Sequence, residues 1–143
     1  MVCSRGISNR HRHLMLDLFN LLAHGKKDVK LEKKRENEQV EELCESHSCK
    51  NYMFFECKKH RDLYLWMGNA REGPSVKFHV ENIHTAEELQ LTGNCLKGSR
   101  PVLSFDASFE QLHHLRVIRA QLTATFNVPE YHPKSQPFID HVF

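Results

Sequence analysis

The sequence predicts an α/β fold, a mixed β-sheet flanked by helices, and three observations carry that prediction. Runs that alternate apolar and polar residues, at positions 63–67 and 76–80, interleave with stretches whose apolar residues recur every third or fourth position. Hydrophobic residues make up 40% of the chain and charged residues 27%, a globular balance rather than a disordered one. At 143 residues the chain has the length of one domain, enough to bury roughly 70% of the surface its unfolded form exposes.

The elements follow in order. Met1, Val2 and Cys3 read as the last residues of a strand whose beginning lies outside the sequence. Ser8 suits a helix N-cap, and Leu14, Met15, Leu18, Leu21 and Leu22 follow at helical spacing, with Gly25 placed to close the helix in the left-handed conformation. Residues 26–34 read as a basic connector with a short apolar beat at Val29 and Leu31. A second helix is expected over 35–46, with Val40, Leu43 and Cys44 on one face. The run Tyr52-Met53-Phe54-Phe55 reads as a buried strand. Leu63, Leu65 and Met67 alternate with Tyr64 and Trp66, and Val76, Phe78 and Val80 with Lys77 and His79. With Gly73-Pro74 between them, these runs form a hairpin. Thr85 and Glu88 fit a capping box that opens a short helix carrying Leu89. Residues 92–101 form a glycine-bearing basic loop, and Val102-Leu103-Ser104-Phe105 a strand. Leu112, Leu115, Ile118, Leu122 and Phe126 make a helical stripe. Residues 129–137 read as loop and 138–143 as the opening of a further strand, so the expectation is a partial domain, incomplete at both ends.

Composition narrows the function classes. No apolar run approaches the ~20 residues of a membrane-spanning helix, and the opening MVCSRGISNRHRHLM reads as folded domain rather than as a secretory leader. The five cysteines, Cys3, Cys44, Cys49, Cys57 and Cys95, are an odd number widely spread, which fits reduced thiols in a cytosolic or nuclear setting. The formal charge is only +2, but basic groups cluster at Arg5-Arg10-Arg12, at 26–35, at Lys58-Lys59-Arg61 and at Lys97-Arg100, while Glu36, Glu38, Glu41, Glu42 and Glu45 concentrate acid. A basic face beside an acidic one is expected.

Three stretches, CSRGISNRHRHLMLDLFNLLAHGKKDVKL, DLYLWMGNAREGPSVKFHVENIHT and LTGNCLKGSRPVLSFD, together with the closing YHPKSQPFIDHVF, resemble Brix-domain proteins. The likeness covers essentially the whole chain in order, and the loop at 93–101 is its most specific part. The resemblance implies a fold related to the anticodon-binding domains of class II aminoacyl-tRNA synthetases. It also implies nucleolar work in the nucleus on pre-ribosomal RNA, during rRNA processing and maturation of the large ribosomal subunit. Other assembly factors and ribosomal proteins are the implied partners, with no catalytic activity and no cofactor. Family members carry a full strand before the Cys-Ser-Arg-Gly segment and a further part of the domain, with a basic tail, after the position of Phe143. They also tend to have proline where this chain has Ala23. Residues 1–143 are therefore expected to be a single partial Brix domain.

The candidate RNA-binding residues are Arg5, Arg10, Arg12, Lys26, Lys27, Lys97 and Arg100, each as a phosphate-binding group. Arg5 follows the first strand, and Arg10 and Arg12 lie on the opening turns of the first helix. Ser4, Gly6 and Ser8 let the backbone approach a phosphate closely. Lys97 and Arg100 occupy the other glycine loop beside a strand end, where ligands of open α/β sheets gather. Arginine grips phosphate with a bidentate fork and lysine adds a point charge. Tyr52, Tyr64 and Trp66 are candidates to stack bases, against the plainer reading of strand aromatics as core. For all the cations, the plainer alternative is a solvated surface charge.

The competing readings are weaker. Cys44-x2-His47-x-Cys49 followed by Cys57-x2-His60 offers ligands for a small structural zinc module, but without a two-residue cysteine knuckle. Gly93-x4-Gly98 continues with Ser99 and Arg100 where a nucleotide-hydrolysing phosphate loop requires Lys-Ser/Thr. His84-x2-Glu87 lacks the second histidine of a zinc-protease helix, and no Gly-x-Ser-x-Gly elbow occurs. A binding module is expected, not an enzyme. The alternative is a protein-interaction piece that uses the acidic helix or the hydrophobic edge expected where the domain is incomplete.

Overall fold

The computed structural model describes residues 1–28, 30–31, 36–90 and 98–143. Its backbone contacts divide the chain into two units, Met1–Phe19 with Lys26–Thr92 and Asn20–Gly25 with Gly93–Phe143.

The first unit holds β1 (Val2–Ser4), most of α1 (Asn9–Leu21), β2 (Lys30–Leu31), α2 (Glu36–Ser46), β3 (Asn51–Lys58), β4 (Asp62–Asn69), β5 (Ser75–Val80) and α3 (Ala86–Leu89). The sheet runs β2-β1-β3-β4-β5. β1 is parallel to β2 and to β3, whereas β3, β4 and β5 are joined as antiparallel hairpins, which makes the expected mixed sheet. On one face Val2, Leu31 and Phe54 meet Val40 and Cys44, the i,i+4 pair of α2. On the other, Cys3, Met53, Phe55, Leu63 and Met67 are at most 3% exposed. Burial on both faces explains why 52–55 reads as a continuous apolar run rather than an alternating one.

Local chemistry starts and stops these elements. The Ser8 hydroxyl accepts from the His11 N–H at 3.3 Å and caps α1, whose His11 and Met15 are buried one turn apart. Thr85 caps α3, accepting from the Glu88 N–H at 3.4 Å. The β3–β4 connection turns through Lys59 and His60, both at positive φ, with the Arg61 N–H donating to the Lys58 carbonyl at 3.0 Å. Gly73-Pro74 turns the β4–β5 hairpin as expected.

Two expectations need correction here. The stretch read as a basic connector contains β2, because Leu31, 3% exposed, fills the core between β1 and α2. Gly25 is not among the left-handed glycines of the described residues, which are Gly6, Gly73 and Gly98. Its N–H instead donates to the Leu22 carbonyl at 2.9 Å, ending α1 in a plain turn.

The second unit holds β6 (Arg100–Val102), α4 (Ser108–Gln111), α5 (His113–Phe126) and β7 (Ile139–Val142), with β6 and β7 paired in parallel. β6 begins earlier than the expected 102–105 strand. The Arg100 N–H donates to the Phe138 carbonyl, and the register shifts at Pro101, which has no N–H to give. The expected helical stripe is interrupted at Leu112, whose extended backbone separates α4 from α5 and leaves it 47% exposed. Along α5 the buried side chains are Gln121 and Thr125, three residues beyond Ile118 and Leu122 on the same stripe. The Thr125 hydroxyl is satisfied by the Gln121 carbonyl at 2.8 Å.

Candidate nucleic-acid interface

The C-terminal end of β1 is tied firmly in place. The Ser4 hydroxyl, 1% exposed, accepts from the Cys57 N–H at 2.9 Å, which locks β1 to β3 where both strands end. Arg5 follows, exposed, with its N–H donating to the Leu31 carbonyl at 3.3 Å. Gly6 has φ +82°, and a Cβ there would stand 2.8 Å from His60 Cε1, so glycine is required both for the turn and for the close approach. The His60 Nδ1–H donates to the Gly6 carbonyl at 2.9 Å.

Arg10 and Arg12 flank the buried His11 on opposite sides of α1, because successive helical positions are rotated by about 100°. The Arg10 guanidinium bonds Glu88 with both carboxylate oxygens, at 2.8 and 2.9 Å. That contact, with help from the Thr85 backbone and His84, holds the Glu88 carboxyl below the usual range. Arg12 faces the other flank. It, Lys30 and Lys27 act together on Cys3, whose thiol is pushed up by burial while the three cations pull it back down. Lys27 also lies 5.7 Å from the Phe19 ring centroid. Lys26 turns away and donates to the His47 carbonyl at 2.6 Å, next to the His47–Asp28 pair. The structure thus gathers Arg12 and Lys27, adds Lys30, and commits Arg10 to α3.

Arg100 belongs to the second unit. Its Nε donates to Ser135 Oγ at 3.2 Å and its Nη2 to the Pro129 carbonyl at 3.5 Å, which pins the 129–136 loop. Lys97 lies outside the described residues, as do Cys95 and most of the glycine loop.

The aromatic candidates are occupied from within. Lys77 Nζ stands 4.4 Å from the Tyr64 ring centroid and 4.6 Å from that of Trp66, and His79 stacks on Tyr64 at 5.0 Å. The Trp66 indole donates to Glu56 at 2.9 Å. Burial works to raise the Glu56 carboxyl, but hydrogen bonds from Trp66, Lys77 and Lys58 outweigh it and hold the group below the usual range. Tyr52 packs against the α2 core, where burial raises its phenol.

The zinc alternative finds its ligands dispersed. Cys44 and Cys57 are buried, His47 engages Asp28, and His60 engages Gly6. Among the described residues no three His, Cys, Asp or Glu side chains converge as a metal would require. His84 precedes the α3 cap and contacts Glu88 at 3.4 Å.

Comparison with known proteins places this geometry in a family. The Brix domain family model matches residues 4–143. The chain is 51% identical over 142 residues to a Saccharomyces cerevisiae protein named ribosome biogenesis protein BRX1, covering 99% of this chain and 49% of that one. It is 53% identical over 140 residues to the human BRX1 homolog, covering 98% of this chain and 40% of the relative. For the Drosophila melanogaster homolog the figures are 50% over 142 residues, 98% and 40%. The chain spans less than half the length of these relatives. With a family model running across both of its units, the chain belongs to the Brix-domain family.

Proposed function

We propose that this chain is a non-catalytic ribosome-assembly module that holds pre-ribosomal RNA by its phosphates during maturation of the large subunit. In this reading it works in the nucleolus, beside other assembly factors and ribosomal proteins. The observation that carries the reading is a set of exposed cations at β1: Lys30 lies opposite Cys3 in the ladder, Arg12 and Lys27 also pull the Cys3 thiol down, and Arg5 stands at the end of the strand that carries Cys3. These cations lie on a chain about half identical to proteins named for ribosome biogenesis. Among the described residues no helix is long and apolar enough to cross a membrane.

Phosphate contact predicts a steep salt dependence. Four groups on single-stranded RNA imply affinity falling about 50-fold between 50 and 200 mM salt. The test is fluorescence anisotropy with a labelled 20-nucleotide single-stranded RNA. R12Q/K27Q should bind about 25-fold more weakly at ~0.1 M salt, since each lost contact removes roughly 0.7 from the salt slope. Undiminished binding by that variant would take these residues out of the interface. Arg10 is a poor probe, because changing it also breaks the contact with Glu88.

A protein-interaction reading has one observation in its favour. Phe138, Ile139 and Val142 on and beside β7 are 64–67% exposed. It predicts partner binding that salt leaves unchanged.

A further inference from the structure

A second cationic element meets Arg5 at the same end of the sheet. β1 and β3 are parallel, with Cys3 opposite Phe55, so both strands deliver the residues that follow them to one edge. Arg5-Gly6 follows β1, and Lys59-His60-Arg61 follows β3 after Lys58. The two loops touch through the 2.9 Å His60–Gly6 hydrogen bond, and a Cβ on Gly6 would stand 2.8 Å from His60 Cε1. Sequence reasoning left the 59–61 turn out of the site, since the two loops are 54 residues apart in the chain.

The turn is built in an unusual way. Lys59 at φ 49° and His60 at φ 58° occupy the two left-handed positions of a tight hairpin turn, where asparagine and glycine are favoured. Keeping a lysine and a histidine there costs backbone energy that a stability-optimised turn would avoid, and such outliers point to function. Lys59 and Arg61 are exposed, and neither pairs with an acidic side chain among the described residues. Lys58, by contrast, is held by Glu56 at 3.2 Å. Of the nearby acids among the described residues, Asp62 follows the turn directly, and Glu81 faces His79 at 3.1 Å.

We propose that Lys59 and Arg61 are phosphate-binding residues for an RNA backbone, with His60 holding their turn against the Arg5–Gly6 loop. This rests on the RNA reading above and extends its surface to an element that reading does not include. An arginine and a lysine on one rigid turn, next to Arg5, supply a fork and a point charge for adjacent phosphates.

The experiment compares wild type, R12Q/K27Q, K59Q/R61Q and K59R/R61K by anisotropy with a labelled 20-nucleotide oligouridylate, from 50 to 300 mM salt, with thermal melts alongside. K59Q/R61Q should bind about 25-fold more weakly at ~0.1 M salt, with a salt slope smaller by about 1.4. K59R/R61K keeps both charges and should keep the slope, with a loss of affinity much smaller than that of K59Q/R61Q. Wild-type binding that K59Q/R61Q leaves unchanged overturns this proposal while the RNA reading stands. Equal losses in K59Q/R61Q and K59R/R61K also overturn it, because turn shape rather than charge would then be responsible. Absence of RNA binding by the wild type removes the RNA reading and this proposal together.

Discussion

His11 shows how one buried side chain sets a pH response. It is 8% exposed, and its Nδ1 has no hydrogen-bond partner. Burial holds the imidazole below its usual range, and the neighbouring Arg10 acts in the same direction. The folded state therefore keeps His11 neutral where the unfolded chain, titrating near pH 6.5, already takes up a proton. Since the unfolded state binds more protons, stability is complete above about pH 6.5 and is lost as pH falls through that value toward the folded one. His24, also held down by burial, contributes with the same sign. Melting temperature should fall between about pH 7 and pH 5, with a shallower fall in H11L. A fall in H11L parallel to the wild type would acquit His11. At this scale the caps were legible in the sequence, because Ser8 and Thr85 act on N–H groups three residues away. The fate of Arg10 was not, because its partner Glu88 lies 78 residues further along.

Among the elements, β2 is the instructive case. A two-residue strand in a lysine-rich stretch carries almost no periodic signal, so its sequence reads as linker. Leu31 nevertheless sits with Val2, Val40, Cys44 and Phe54 in one core and extends the parallel ladder beyond β1. L31A should cost about 2–5 kcal/mol in urea denaturation, the range for a large core residue cut to alanine, where a linker residue would cost almost nothing. A loss below about 0.5 kcal/mol would return this segment to the status of a connector. β3, β4 and β5 were readable because their apolar runs exceed the reach of chance, and the Gly73-Pro74 turn marks one hairpin outright. The break at Leu112 was not, since its apolar side chain continues the helical stripe while its backbone leaves it.

Taken whole, the chain joins a unit whose central strand β3 is buried on both faces to one whose two-stranded sheet leaves Phe138, Ile139 and Val142 exposed. Isolated two-stranded sheets are marginal in water, and regions with little buried apolar surface open at lower free energy. Hydrogen exchange should therefore show the amides of β3 and β4 protected longest, and those of β6 and β7 exchanging well ahead of them. Matching protection in both sheets would mean that the units open as one cooperative body.

By itself the sequence determined the mixed α/β class, the family resemblance, the positions of the main strands and helices, and which cations were available. These depend on periodicity, on caps and turns that act within three or four residues, and on contiguous motifs. Only the tertiary structure decided which of those cations share an edge. It moved Arg10 onto Glu88 and Arg100 onto Ser135 and Pro129, collected Arg12, Lys27 and Lys30 around Cys3, and set the 59–61 turn against Gly6. The physical reason is that strand pairing joins residues far apart in the chain. Local pattern shows that a strand forms, but not which neighbour it will pair with.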